Sequence, residues 1–346
     1  MRAIRPSSSP ARAAVLGAVA ACLTAATPAV AAPAPASGRL VLDPSPVVGD
    51  VAAQGGTVAW TSGDAAAGGS GSAYRLLVRD PGASAVRRVD VRLPAGTNAV
   101  SVGTDRRGRP VALLGTPART WSVPLAADAR PVVRPVAGSA RWRASALFRG
   151  RLAYARERGG RTQVLVAPRP GAAGRIAFAV PRRYAVAELA LAADGTVFVH
   201  GRRRTRVGAL DVLWRARVGS AAREVLRQSS GGASDNGMGR PTVIAGGARV
   251  TVSRWALGGG HPRDLTTFSV RTGRVLATAP IAQDPGADAV EQLGLDHGES
   301  VVRTVVSSGC SVIGGPDASR PPCLGVTLLT PAARAPARAA QGSPAR

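Results

Sequence analysis

The sequence predicts an all-β chain built from one repeated unit, and three observations carry that expectation. First, residues 188–228 read as four short strands in succession, at 188–192, 196–200, 211–218 and 223–227. Short apolar or alternating runs bounded by Gly, Asp and Ser are the pattern of strands, and Asp194-Gly195 between two such runs is a hairpin signal. Second, a glycine-bearing turn followed by a β-rich run recurs at Gly56, Gly108, Gly150, Gly195, Gly247 and Gly298, at spacings of 52, 42, 45, 52 and 51 residues. A repeat of about 40–50 residues is the period of four-stranded propeller blades. Third, five units carry a fourth strand and the sixth carries none, while a lone strand, 38–43, precedes the first unit. Together these predict a six-bladed β-propeller of four-stranded blades over residues 38–330, its ring closed by strand 38–43 completing blade six.

Taken in order, residues 1–31 carry a secretory signal. Three Arg and no acid within 1–12 precede the apolar run 13–26, and Ala29-Val30-Ala31 offers an A-x-A cleavage site. Val19-Ala20-Ala21-Cys22 also fits a bacterial lipobox, with Val where the motif usually has Leu, which would anchor the chain through Cys22. No other run approaches the roughly 20 apolar residues of a membrane span. Residues 32–37 are a Pro/Ala spacer. The third strands of the six units fall at 74–79, 120–125, 162–167, 211–216, 265–270 and 324–329, and five fourth strands at 85–93, 130–136, 175–180, 222–227 and 274–279. GRLVLDP at 38–44 matches GRIAFAVP at 174–181 and GRVLATAP at 273–280, both fourth strands, which is why the first strand is assigned to the last blade. An unclosed ring would leave an unpaired strand edge, a template for aggregation. Cys310 and Cys323 flank the connection between the second and third strands of unit six, and a disulfide is expected between them in an oxidising compartment. Residues 331–346 are a Pro/Ala/Arg tail without apolar periodicity, expected to be disordered.

The hairpin AADGTVFVH at 192–200 resembles the S-P-D-G-x-x-I-x-F hairpin of TolB-like six-bladed propellers, with Ala-Ala in place of Ser-Pro. The other five hairpins keep only the glycine or a fragment such as Asp105 or Asp296. The resemblance implies a propeller and the habit of a binding scaffold, with no substrate attached. The G-H and W-D dipeptides of WD repeats and the Asp-box of sialidases are absent from the sequence.

Composition narrows the function. The formal net charge is +25, and all 45 basic residues are Arg. Such a charge attracts anions at low ionic strength. Exclusive Arg beside abundant Ala, Gly and Pro reflects coding bias more than nucleic-acid recognition, and aromatics at 3% offer few stacking platforms for bases. No G-x-S-x-G elbow, H-E-x-x-H pair or phosphate loop occurs.

In a propeller the second-to-third-strand and inter-blade connections share one face. The long insertions, 62–72, 200–209, 228–240, 255–264, 281–289 and 307–322, all fall there, around blades four, five, six and one. His200, Arg202, Arg203, Arg204 and Arg206 are candidates for an anion-binding patch. Trp255, His261, Arg263 and Asp264 are candidates for a sugar or peptide surface. Asp235 with Asn236, Asp284 and Asp288 are candidate Ca²⁺ ligands, and no other cofactor is expected. The resulting expectation is a monomeric, secreted or envelope-associated, non-catalytic scaffold for a protein, peptide or anionic envelope polymer. The alternative is a propeller enzyme, a metal-assisted lactonase or glycan lyase, with an acidic cluster at the central channel.

Overall fold

Each short, alternating run of the sequence becomes a strand, and neighbouring runs pair antiparallel through tight turns. The computed structural model describes residues 36–43, 48–63, 74–206, 208–229, 236–256, 264–280, 289–296, 299–305 and 325–331. Strand β1 (Ala36–Asp43) opens the described chain. Blade 1 follows as β2 (Val48–Gln54), β3 (Thr57–Ser62), β4 (Arg75–Arg79) and β5 (Val86–Val89). Blade 2 is β6 (Ala99–Thr104), β7 (Pro110–Gly115), β8 (Thr120–Pro124) and the two-residue β9 (Arg134–Pro135). Blade 3 is β10 (Trp142–Phe148), β11 (Arg151–Arg158), β12 (Arg161–Ala167) and β13 (Arg175–Ala179). Blade 4 is β14 (Ala185–Leu191), β15 (Val197–Thr205), β16 (Gly208–Ala216) and β17 (Arg223–Ser229). Next come β18 (Asn236–Met238), β19 (Thr242–Ile244), β20 (Arg249–Ala256), β21 (Asp264–Ser269) and β22 (Val275–Pro280). The last sheet is β23 (Ala289–Gly294), β24 (Ser300–Val305) and β25 (Val326–Pro331), with β1 outermost.

The architecture is an all-β propeller of four-stranded antiparallel blades. The expectation of six uniform blades is corrected: among the described residues five sheets are four-stranded, and the sheet between blade 4 and the last blade has five strands. The reason is local. The inner position of that sheet is shared by β18 and β19, which pair with opposite ends of β20. Between them stands Pro241, which has no N–H to give to the ladder. Gly239 N still reaches Ser253 O at 2.9 Å, and the chain then leaves the ladder at Arg240.

Antiparallel pairing of β1 with β25 unites the two ends of the ring, in the register Leu40↔Leu328 and Val41↔Thr327. The fully buried Trp60 of blade 1 donates its indole N–H to Asp43 Oδ2 at 2.7 Å, so the end of β1 is also tied to the next blade. The core lies as wedges between neighbouring blades. One cluster fills the interfaces around blade 4, with Phe198, Leu213 and Phe268 fully buried. Others lie between blades 1 and 2, between the last blade and blade 1, and between blades 2 and 3, the last being the smallest.

The inner-hairpin turns lock successive blades on one face. Ala193 N bonds Gly247 O at 3.4 Å, Gly150 N bonds Thr104 O at 2.8 Å, and Arg79 reaches Glu299 at 3.0 Å. At Gly247, φ is +99° and a Cβ would collide with Ala193 and Phe148, so only glycine makes this approach. Most of the insertions expected on the opposite face, at 62–72, 228–240, 255–264, 281–289 and 307–322, lie outside the described residues. So do the signal expected at 1–31, Cys22, the disulfide expected between Cys310 and Cys323, and the tail beyond Pro331. Among the described residues, no helix is long and apolar enough to cross a membrane.

Candidate functional site

Blade 4 was expected to present an arginine-rich loop at 200–209. That placement is corrected. His200, Arg202, Arg203 and Arg204 belong to β15, which pairs residue by residue with β16 as far as Thr205↔Gly208. The hairpin extends because Arg202 stands directly opposite Asp211, an oppositely charged cross-strand pair. Arg202 binds the Asp211 carboxylate with both arms of its guanidinium, at 2.8 and 3.0 Å. His200, only 3% exposed, places Nε2 3.1 Å from Asp211 Oδ1. The backbone N–H of Met238 completes the shell at 3.2 Å from Oδ2, linking blade 4 to β18. Burial raises the Asp211 carboxyl, but the bonds from His200 and Arg202 outweigh it and hold the pKa at about 2. Arg203 lies over the Tyr184 ring at 5.5 Å, while Arg204 and Arg206 are exposed. The predicted patch is therefore divided: the buried His200 and the exposed Arg202 both serve the Asp211 carboxylate, and Arg204 and Arg206 stand apart from it.

The second expected cluster divides in the same way. Asp264 accepts both arms of Arg254, at 2.7 and 2.5 Å, and the Thr266 hydroxyl at 2.8 Å. Arg254 and Asp264 are opposite each other in β20 and β21, matching Arg202 and Asp211 in blade 4. Trp255 lies in β20 opposite Gly237, while His261 and Arg263 fall outside the described residues. Asp235, Asp284 and Asp288 also fall outside them. Among the described residues no cluster of three or more His, Cys, Asp or Glu is arranged to hold a metal ion.

The axis carries a group that sequence reasoning missed. Where Pro241 forces the chain off the ladder, the buried Arg240 extends across the ring of inner strands. Its guanidinium meets Asp50 Oδ2 of β2 at 2.8 Å and Glu188 Oε1 of β14 at 2.9 Å. It also donates to Val51 O at 2.8 Å and to Val100 O of β6. One side chain thus ties three blades together from a fourth sheet. Asp50 is itself held by the Val100 N–H at 2.6 Å. In the sequence, Arg240 only closes the insertion expected at 228–240.

Beside this arginine a cleft of about 460 Å³ opens on the face of the inter-blade connections. Its origin is a wedge between blades 2 and 3. Toward the turn face, Gly103 of β6 packs against the backbone and side chain of Leu147, where a Cβ has no room. Toward the other face the inner strands of the two blades line the gap with the small residues Ala99 and Ser101 on one side and Ala144 and Ser145 on the other, and these leave it unfilled. Asn98 and Thr116 line the blade 2 wall, Arg141, Trp142, Arg143 and Glu157 the blade 3 wall, and Glu188 and Arg240 the axial end. Trp142 stacks on Tyr154 with centroids 4.2 Å apart and planes 16° from parallel, which fixes the indole. Arg143 and Glu157 form an exposed pair at 3.1 Å, the kind worth about 0–1 kcal/mol. Arg141 has φ +62°, a left-handed conformation that costs a non-glycine residue about 1–2 kcal/mol. Strain of this sort concentrates at functional positions.

The cleft lies on the expected face but in the sector of short loops, which loop length alone passed over. A signal did exist: small residues alternate along β6 at 99, 101 and 103 and run together at 144–146 of β10, beside Arg-Trp-Arg at 141–143. Chemically, the cleft offers hydroxyl, amide and guanidinium groups, with the carboxylates of Glu157 and Glu188 paired to arginines, around one fixed aromatic ring. That arrangement suits a polar, anionic ligand.

No family model matches this sequence, and no curated protein matches it. Solved structures similar to it are propellers at low identity. TolB from Acinetobacter baumannii aligns with TM-score 0.46 and 12% identity over 68% of this chain and 55% of that one, so the chain spans about half of that protein's length. The calcium-binding protein regucalcin from Agrobacterium tumefaciens aligns with TM-score 0.46 and 13% identity over 86% and 94% of the two chains. A periplasmic gluconolactonase from Pseudomonas aeruginosa aligns with TM-score 0.41 and 13% identity over 74% and 80%.

Proposed function

We propose that this chain is an exported, monomeric, non-catalytic binding scaffold that captures an anionic partner, a protein, peptide or envelope polymer, in the cleft between blades 2 and 3. The five-stranded sheet serves as a sixth blade whose inner strand is split to deliver Arg240. The observation that carries the reading is the pair Arg141 and Arg143 at the mouth of a polar cleft whose axial end is closed by Arg240. An enzyme of the metal-assisted kind needs carboxylates at the axis that can meet a cation. Here Asp50 and Glu188 are held by a guanidinium, and Glu157 is paired with Arg143. Each carboxylate facing the cleft therefore balances an arginine, which supports binding over catalysis.

General basicity alone would bring polyanions to the surface, so the test must hold charge constant. The variant Arg141→Ala/Arg143→Ala is compared with Arg204→Ala/Arg206→Ala, which removes equal charge from the exposed end of blade 4. Affinity for an acidic polymer at 0.15 M salt is expected to fall about tenfold or more in the first and hardly at all in the second. Equal losses would reduce the cleft to one part of a diffuse positive surface.

A further inference from the structure

We infer that the cleft takes an acidic glycan, a chain of sugar rings carrying carboxylate or phosphate groups; this rests on the binding reading above and names its ligand. Three features converge on that chemistry. The walls present hydroxyls and an amide, from Ser101, Ser145 and Asn98, among aliphatic surface from Val100, Leu113 and Pro117, while the Thr116 hydroxyl is taken up by the backbone of Arg119. A polyhydroxylated ligand matches such groups donor for acceptor, whereas an apolar side chain would leave them desolvated without partners. Trp142 adds a single flat apolar surface, held rigid by Tyr154 on one face while the half-buried ring lines the cleft. The faces of sugar rings are C–H surfaces flanked by hydroxyls, so one aromatic platform among polar groups suits them. Finally, Arg141 and Arg143 bracket Trp142 in sequence and stand at the same mouth, placing guanidinium forks where a ring substituent would emerge. The weak pairing of Arg143 with Glu157 leaves it able to exchange that partner for a ligand anion.

The test titrates the full chain with oligogalacturonate, phosphomannan fragments, oligoglutamate of equal charge and neutral maltooligosaccharide. One or both acidic glycans are expected to bind saturably, and the one that binds identifies carboxylate or phosphate as the recognised group. Trp142→Ala is expected to weaken that glycan about tenfold or more while changing oligoglutamate less than about twofold. Should Trp142→Ala fail to fold, Ser101→Ala/Ser145→Ala removes cleft hydroxyls at little cost in packing and should show the same selective loss. Equal losses for glycan and oligoglutamate, or binding of the neutral sugar as tightly as the acidic ones, would overturn the inference. If only oligoglutamate binds, and does so through Arg141 and Arg143, the scaffold reading stands and the glycan reading falls. If no probe depends on these arginines, both fall.

Discussion

The strand-end of blade 4 and the cleft between blades 2 and 3 lie on the same face and are both rich in arginine, yet they do opposite things. In blade 4, β16 places Asp211 directly across from Arg202, and the buried His200 and the Met238 N–H gather on the same carboxylate. There the Arg202 charge is spent on Asp211, and the interface is filled. In blade 3, Arg141 and Arg143 sit at the start of an inner strand beside small residues, and the interface stays open. The lesson is that a run of arginines makes a site where the carboxylate opposite is exposed and weakly held, as Glu157 is for Arg143, and the packing leaves a gap.

Four measurements sharpen that contrast. The largest effect is expected at the axial end of the cleft. Arg240→Met would strand Asp50 and Glu188 without their shared cation and lower stability by about 4 kcal/mol, read from urea unfolding. A loss below about 1 kcal/mol would show that the axis is not held by this residue. Next comes the blade 4 latch. Asp211→Ala leaves His200, Arg202 and the Met238 N–H facing a missing acceptor, at about 3 kcal/mol, with no change in polyanion binding. Weakened binding would return the blade 4 arginines to candidacy.

The same latch has an acid signature. The Asp211 pKa is held at about 2 against an ordinary 3.8, so its contribution is fully present above the higher value and fades as pH falls toward the lower. The gap in unfolding free energy between native chain and Asp211→Ala should therefore narrow by about 2 kcal/mol across that window. A constant gap would mean that the carboxylate's charge contributes nothing. The smallest effect has the opposite sign. Arg141→Gly relieves a left-handed backbone and should raise stability by about 1 kcal/mol while weakening anion capture, a trade that no latch residue would show. A destabilised variant would mean that the side chain of Arg141 supports the fold rather than a ligand.

Much of the fold was legible because propeller strands are short and local. The turn at Asp194-Gly195, the apolar run that follows it at 196–200 and the fourth-strand match of residues 38–44 are all contained within a few residues of sequence. The pairing of β1 with β25 follows from that match together with the missing sixth fourth strand. Less legible were features in which a residue acts far from its own strand. Arg240 reaches Asp50 from 190 positions away and Glu188 from 52, and no local pattern announces either. Blade 4 misled for the converse reason. His200 through Arg206 look like a solvated basic loop until Asp211 is seen opposite Arg202, because register decides which charges meet.

By itself, then, the sequence determined the repeated strand unit, the union of the chain ends and the strongly basic surface. These depend on period, turn chemistry and composition, each a property of adjacent residues. Only the tertiary structure decided which arginines are spent on internal carboxylates and which face a cleft. That outcome depends on how closely two blades approach: Gly103 seals one half of the interface between blades 2 and 3 against Leu147, while Ala and Ser leave the other half open.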